Sequence, residues 1–167
     1  DVRLEYALRF LEAAVALASG NISYAVLPEP FTTMAKMQNS NLRPVLDLGA
    51  LWSAQTGQRS YPMTVFVVSA KLASERPAAV RTILDAYEAS IKWVIEKPSD
   101  AGILVEKHEL GLKAAVAAKA IPVSAYVFTL AAAAKPAVEA LLGVFLDMTP
   151  SSVGGKLPGD EFYAAFK

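Results

Sequence analysis

Glu29 stands in Pro28-Glu29-Pro30, directly after the apolar run 22–27. Two prolines fix the backbone and remove two donors, so the carboxylate or a backbone carbonyl is held stiffly. After a strand, that is a place to meet a ligand; a plain strand-ending turn uses the same residues. Phe10, Leu11 and Glu12 open a second place, the start of a helix over 10–19. Free amides at a helix N-terminus suit a polar or anionic group. Glu12 is also favoured there simply by the helix dipole. Trp52, Tyr61 and Met63 flank the polar loop 55–60. Such aromatic residues line a cleft and stack on a flat ligand, or pack as an ordinary rim.

Other residues fail the tests for catalysis. His108 sits in Glu106-Lys107-His108-Glu109 at a helix end, with no nucleophile or acid implied beside it. A cation at a helix C-terminus accounts for it. The run Gly154-Gly155-Lys156-Leu157-Pro158-Gly159-Asp160 lacks the Ser or Thr that follows a phosphate-loop lysine, and Pro158 blocks an immediate helix. No catalytic residue, metal ligand set or cofactor is expected, and the chain reads as a non-enzyme.

The composition narrows the class further. The 167 residues include no cysteine and one histidine. Disulfide scaffolds, thiolate metal sites and cysteine nucleophiles are excluded. Sixteen basic residues balance sixteen acidic ones, which argues against a nucleic-acid partner. Hydrophobic residues make up 54% and charged ones 19%, enough apolar side chain for a buried core. No run reaches the roughly 18 apolar residues of a membrane span.

The elements that would position these residues follow from periodicity. Residues 2–8 alternate and read as a strand; 10–19 read as a helix stopped by Gly20-Asn21; 22–27 read as a second strand. Strand, helix and strand make a βαβ unit with parallel strands. Helices are expected at 31–38, near Leu51-Trp52, from Pro77 through Val94, at 100–108 and at 112–120. The runs 43–48, 63–69 and 122–129 read as extended, and Pro136 reads as the opening of a further helix. The C-terminal stretch 161–166 reads as a last helical turn. The mixture points to an α/β fold.

Three stretches in order carry a family resemblance. They are 13–31 (AAVALASGNISYAVLPEPF), then 61–69 with 75–80 (ERPAAV), then 154–163 (GGKLPGDEFY). Together they resemble ABC-transporter solute-binding proteins of the NMT1/THI5-like, sulfonate/nitrate/taurine-type family. The resemblance implies a type II periplasmic-binding-protein fold, α/β with two lobes joined at a hinge and incomplete at its N-terminus. Residues 1–30 would belong to lobe two as a βαβ unit ending at the hinge, and 31–167 largely to lobe one and the C-terminal helices.

The resemblance also implies a function. A solute receptor would bind a small polar or heteroaromatic ligand and deliver it to ABC permease membrane subunits. The ligand-binding positions carried over are Phe10, Leu11, Glu12, Leu27, Pro28, Glu29 and Phe31, with Tyr61 added as an aromatic contact. The remainder of the N-terminal half of the same protein would be a partner. The expected place is the periplasm or the outer face of the membrane, as a lipoprotein anchored through that remainder. An enzyme of menaquinone-pathway type on the same two-lobed fold is the alternative, and an isolated interaction domain is a third.

Overall fold

A computed structural model describes residues 3, 5–59 and 61–163. The chain runs through helices α1 (Phe10–Ala18), α2 (Phe31–Gln38), α3 (Leu48–Thr56), α4 (Ala70–Glu75), α5 (Pro77–Glu96), α6 (Pro98–Lys107), α7 (Ala114–Ala120) and α8 (Ala131–Met148). Short 3-10 turns follow at Ile121–Val123, Pro150–Val153 and Asp160–Phe162.

Local chemistry sets the helix ends. Gly20 closes α1 with φ +77°, and the Asn21 N–H donates to the Ala16 carbonyl at 2.9 Å. A residue without Cβ takes that left-handed conformation at little cost. The Asp47 carboxylate accepts from the Ala50 N–H at 3.0 Å and caps α3. The Ser69 hydroxyl accepts from the Leu72 N–H at 3.2 Å and starts α4, an element the periodicity did not separate from its neighbours. Pro98 occupies the first turn of α6, where a missing N–H is harmless.

Two expectations from the sequence are corrected. Pro136 does not open the last helix; it lies inside α8, which starts five residues earlier at Ala131. The four alanines 131–134 are strong helix formers and carry the helix up to the proline. The larger correction concerns class. Among the described residues there is no strand, so the α/β two-lobed binding-protein reading fails and the described chain is helical. The runs 22–27, 43–47, 63–69 and 124–130 take no regular structure. Their apolar residues read as a half-buried sheet face, yet Tyr24 is 82% exposed and Val67 70%. Alternation marks a strand only where a neighbouring chain supplies the ladder, and no described run supplies one here. The parallel βαβ unit falls with it. Of the expected first strand, Val2 and Leu4 lie outside the described residues, as do residues 164–166 of the last turn.

The chain divides into two compact units, Asp1–Pro44 with Ala89–Val127, and Val45–Glu88 with Phe128–Lys167. In the first, α1 packs on α2, α6 on α7, and α2 on α7. Its buried side chains are Ala14, Ala35, Ala101, Ala117, Ala120 and Ile121. Small side chains let these helices approach closely, most of all where α6 meets α7 at Gly102.

Glu106 joins the ends of α6 and α7. Its carboxylate accepts from the Ala114 N–H at 2.8 Å and from the Lys113 ammonium at 2.9 Å. The amide first, then the ammonium, hold its pKa below the ordinary carboxylate value. A lowered folded pKa stabilises the fold above the unfolded value, and that stability is lost as pH falls through the folded value. The melting temperature is therefore expected to drop as pH falls below the usual carboxylate range. Glu106→Gln should flatten part of that drop. An unchanged pH profile in the variant would remove Glu106 from the linkage.

In the second unit Val80 of α5 and Tyr163 are buried. Phe66 and Tyr87 rings lie 5.7 Å apart, and Tyr87 meets Phe128 edge-on at 6.3 Å. Lys135 of α8 pairs with Asp160, reaches Glu139 at 3.7 Å and lies 5.5 Å from the Tyr163 ring centre. This clasp fastens the last 3-10 turn to α8. Burial first, then Glu139, raises the Tyr163 hydroxyl pKa.

Candidate functional site

The first unit brings most of the expected positions together. Phe10 is the first residue of α1 and Phe31 the first of α2. Their ring centres are 5.8 Å apart, tilted by 31°. Such a spacing is that of an attractive aromatic pair. Phe10 remains 54% exposed and Leu11 53%. The pair therefore presents apolar ring surface outward instead of closing into a core.

Two features hold this pair. The Asn39 side-chain amide, just past α2, donates to the Ala18 carbonyl at the end of α1 at 3.1 Å. Reading the sequence alone missed Asn39; an Asn directly after a helix was the available signal. At the other end, the turn 27–31 docks onto α2. The Pro28 carbonyl accepts the N–H groups of Phe31 at 3.0 Å and Thr32 at 3.2 Å. The Thr32 hydroxyl donates to the Leu27 carbonyl at 2.9 Å. The Glu29–Pro30 peptide bond is cis.

The two carboxylates play the same part at two helix starts, Glu12 exposed and Glu29 half-buried. One oxygen of Glu12 accepts the Arg9 N–H at 3.0 Å, which ties it to the first turn of its own helix. That is the capping role the dipole argument allowed. Glu29 Oε2 accepts the Thr33 N–H at 3.1 Å and caps α2 from a half-buried position. Glu29 Oε1 has no hydrogen-bond partner among the described residues. The bond to Thr33 is the turn-forming role of Glu29.

Tyr61 belongs to the second unit, where its ring meets Trp52 edge-on at 5.8 Å. The Trp52 indole N–H is buried there without a partner among the described residues. Phe10, Leu11, Glu12, Leu27, Pro28, Glu29 and Phe31 lie in the first unit. Among the described residues no group of three or more His, Asp or Glu is placed to hold a metal. No helix among them is long and apolar enough to cross a membrane.

Residues 31–149 match the menaquinone biosynthesis family, and the chain belongs to that family. This overturns the NMT1/THI5-like assignment and the ABC solute-binding class that went with it. The match opens at Phe31, so of the stretches that suggested the other family 13–30 and 154–163 lie outside it, while 61–69 and 75–80 lie within it. The chain is also similar to a crystal structure of an ABC transporter from Parabacteroides distasonis, with 28% identity and a TM-score of 0.84. That similarity covers 100% of this chain and 58% of the other. The chain thus spans less than two thirds of that relative's length. No curated protein sequence matches it.

Proposed function

We propose that the chain serves menaquinone biosynthesis as the ring-binding part of an enzyme, in place of the importer receptor the sequence suggested. The observation that carries this reading is the family match over residues 31–149. The pair of half-exposed Phe10 and more buried Phe31 supports a ligand with a flat ring, since stacking on aromatic faces rewards planar apolar surface. The Asn39 bond ties α2 to α1 and the Glu29 bond caps α2, so the two helices that carry the rings are held before the ligand arrives. Preorganisation of that kind lowers the entropy lost on binding.

Further polypeptide is the expected partner on this reading. The relative from Parabacteroides distasonis extends well beyond the shared length. Met63, Val65 and Val67 are more than half exposed, as apolar surface awaiting cover would be.

Disrupting the gene in its host and measuring menaquinone by mass spectrometry tests the reading. Menaquinone is expected to fall to background and to return with the intact gene. Normal menaquinone together with lost uptake of an external solute would contradict it.

A further inference from the structure

We propose that the run 63–68 is a docking edge: an extended polypeptide segment from outside these 167 residues pairs with it, backbone to backbone. The inference rests on the expectation above that further polypeptide is the partner, and it adds where and by what bonds that polypeptide docks. It does not depend on what the Phe10–Phe31 face binds.

The backbone of this run is open. No helix, turn or bend interrupts 61–69, so the chain runs straight there. Among the described residues, none of the six at 63–68 makes a hydrogen bond through its N–H or C=O. The other irregular runs spend part of theirs. In 22–27 the Ile22 N–H donates to the Ala16 carbonyl, and the Leu27 carbonyl accepts from Thr32. In 124–130 the Ser124 N–H donates to the Ile121 carbonyl. Backbone groups lying among apolar side chains are normally paired, and a straight row of them is a template for a second extended chain.

The side chains fit the same reading. Successive residues of a straight run face opposite ways. On one set of positions, the Phe66 ring lies 5.7 Å from Tyr87 of α5 and Val68 is half-buried, which anchors the run to its own unit. On the alternate set, Met63, Val65 and Val67 are 71%, 58% and 70% exposed. The stretch 63–69, MTVFVVS, contains no charge, proline or glycine. Free edges are ordinarily guarded by charge or proline; this one is unguarded.

The longer relative indicates what covers it. The path of the whole chain is shared with that crystal structure at a TM-score of 0.84, yet the shared part is only 58% of the other chain. The occupant is therefore an extended apolar segment of such further polypeptide. Its amides and carbonyls meet those of 63–68, and its side chains extend the Met63, Val65 and Val67 face.

Hydrogen–deuterium exchange read by mass spectrometry tests this on two preparations. One is the gene product isolated from its host through a chromosomal tag, with whatever polypeptide accompanies it. The other is the 167-residue chain alone. The amides of 63–68 are expected to exchange about a hundredfold or more slower in the host preparation than in the chain alone. Neighbouring residues of a straight run turn their N–H groups to opposite edges. Thr64→Pro and Val65→Pro thus remove a donor from one edge each, at no cost in bonds within this chain. At least one of the two should lose the protection of 63–68 about tenfold or more in the host preparation, while α5 keeps its own.

Fast exchange of 63–68 in the host preparation overturns the proposal. So does equal protection in the chain alone: if it grows with protein concentration, the occupant is a second copy, and if it does not, the pairing is internal. Protection that survives both prolines means cover by side chains without a backbone ladder, and also overturns it. Should a proline release α5 as well, the comparison of the two wild-type preparations still decides. Loss of menaquinone on gene disruption reads the proposed function separately from all of these outcomes.

Discussion

Gly102→Ala is expected to destabilise the chain by about 1–3 kcal/mol, although alanine is the better helix former. Gly102 lies in α6 where α7 passes closest. A Cβ added there would meet the Ala114 carbonyl oxygen at 2.5 Å, and the Ala118 nitrogen and Cβ at 3.1 and 3.2 Å. Two effects compete. Replacing glycine by alanine in a helix interior gains about 1 kcal/mol. Against it stands a contact with backbone, which cannot rotate away as a flexible side chain would. The clash wins unless α6 and α7 separate, and separation would open the alanine packing around Ala101, Ala117 and Ala120. Urea denaturation of wild type and variant measures the difference. A neutral or stabilised Gly102→Ala would mean that α6 and α7 do not pack as described. Gly102→Val should cost more than Gly102→Ala, because it adds volume at the same point.

Phe10→Ala is expected to separate binding from stability. The ring is 54% exposed, so folding buries only part of it. Loss of the pair with Phe31 costs about 0.5–1.5 kcal/mol beyond area burial. A ligand lying on the pair loses one of its two faces, and affinity should fall about tenfold, equivalent to roughly 1.4 kcal/mol. Phe31→Ala should cost more stability for a similar loss of affinity, because Phe31 is the more buried ring. Thermal melts and 2-naphthol titrations on the same samples give both numbers. A Phe10→Ala variant with wild-type affinity would take the pair out of the binding site.

Sequence periodicity revealed the helices better than the class they belong to. α2 coincides with the expected 31–38, and the stripe Val80, Ile83, Leu84, Tyr87 marked α5. Both depend on contacts three and four residues apart, which the local sequence contains. The runs at 22–27 and 63–69 are apolar and partly β-branched, but a strand is defined by a ladder with a distant segment. No local pattern shows whether that segment is there, so composition was read as a sheet. Pro136 misled for a related reason. The rule that proline starts helices is strong, but four preceding alanines outweighed it.

The candidate site was legible in part. Glu29 stood out through its two prolines and Phe10 through its position at a helix start, while Phe31 came only from the family resemblance. Their contact at 5.8 Å was not visible, because it depends on how α1 and α2 pack. Asn39, which ties those helices, shows in sequence only as an ordinary helix-ending residue. The capping bond of Glu29 needs the Thr33 amide in place. The family, too, was misread: the stretches 13–31, 61–69, 75–80 and 154–163 pointed one way, and the match over 31–149, which contains two of them, belongs elsewhere.

The central claim is that the Phe10–Phe31 face of the first unit receives a ring. Carbon-13 labelling of the phenylalanine rings allows the seven residues to be followed during titration with 2-naphthol. The account predicts that the Phe10 and Phe31 signals shift first and together, saturate at one affinity, and that the signal of either ring saturates about tenfold later once the other is replaced by alanine. Shifts confined to Phe66 and Phe128, with Phe10 and Phe31 unmoved, would contradict it.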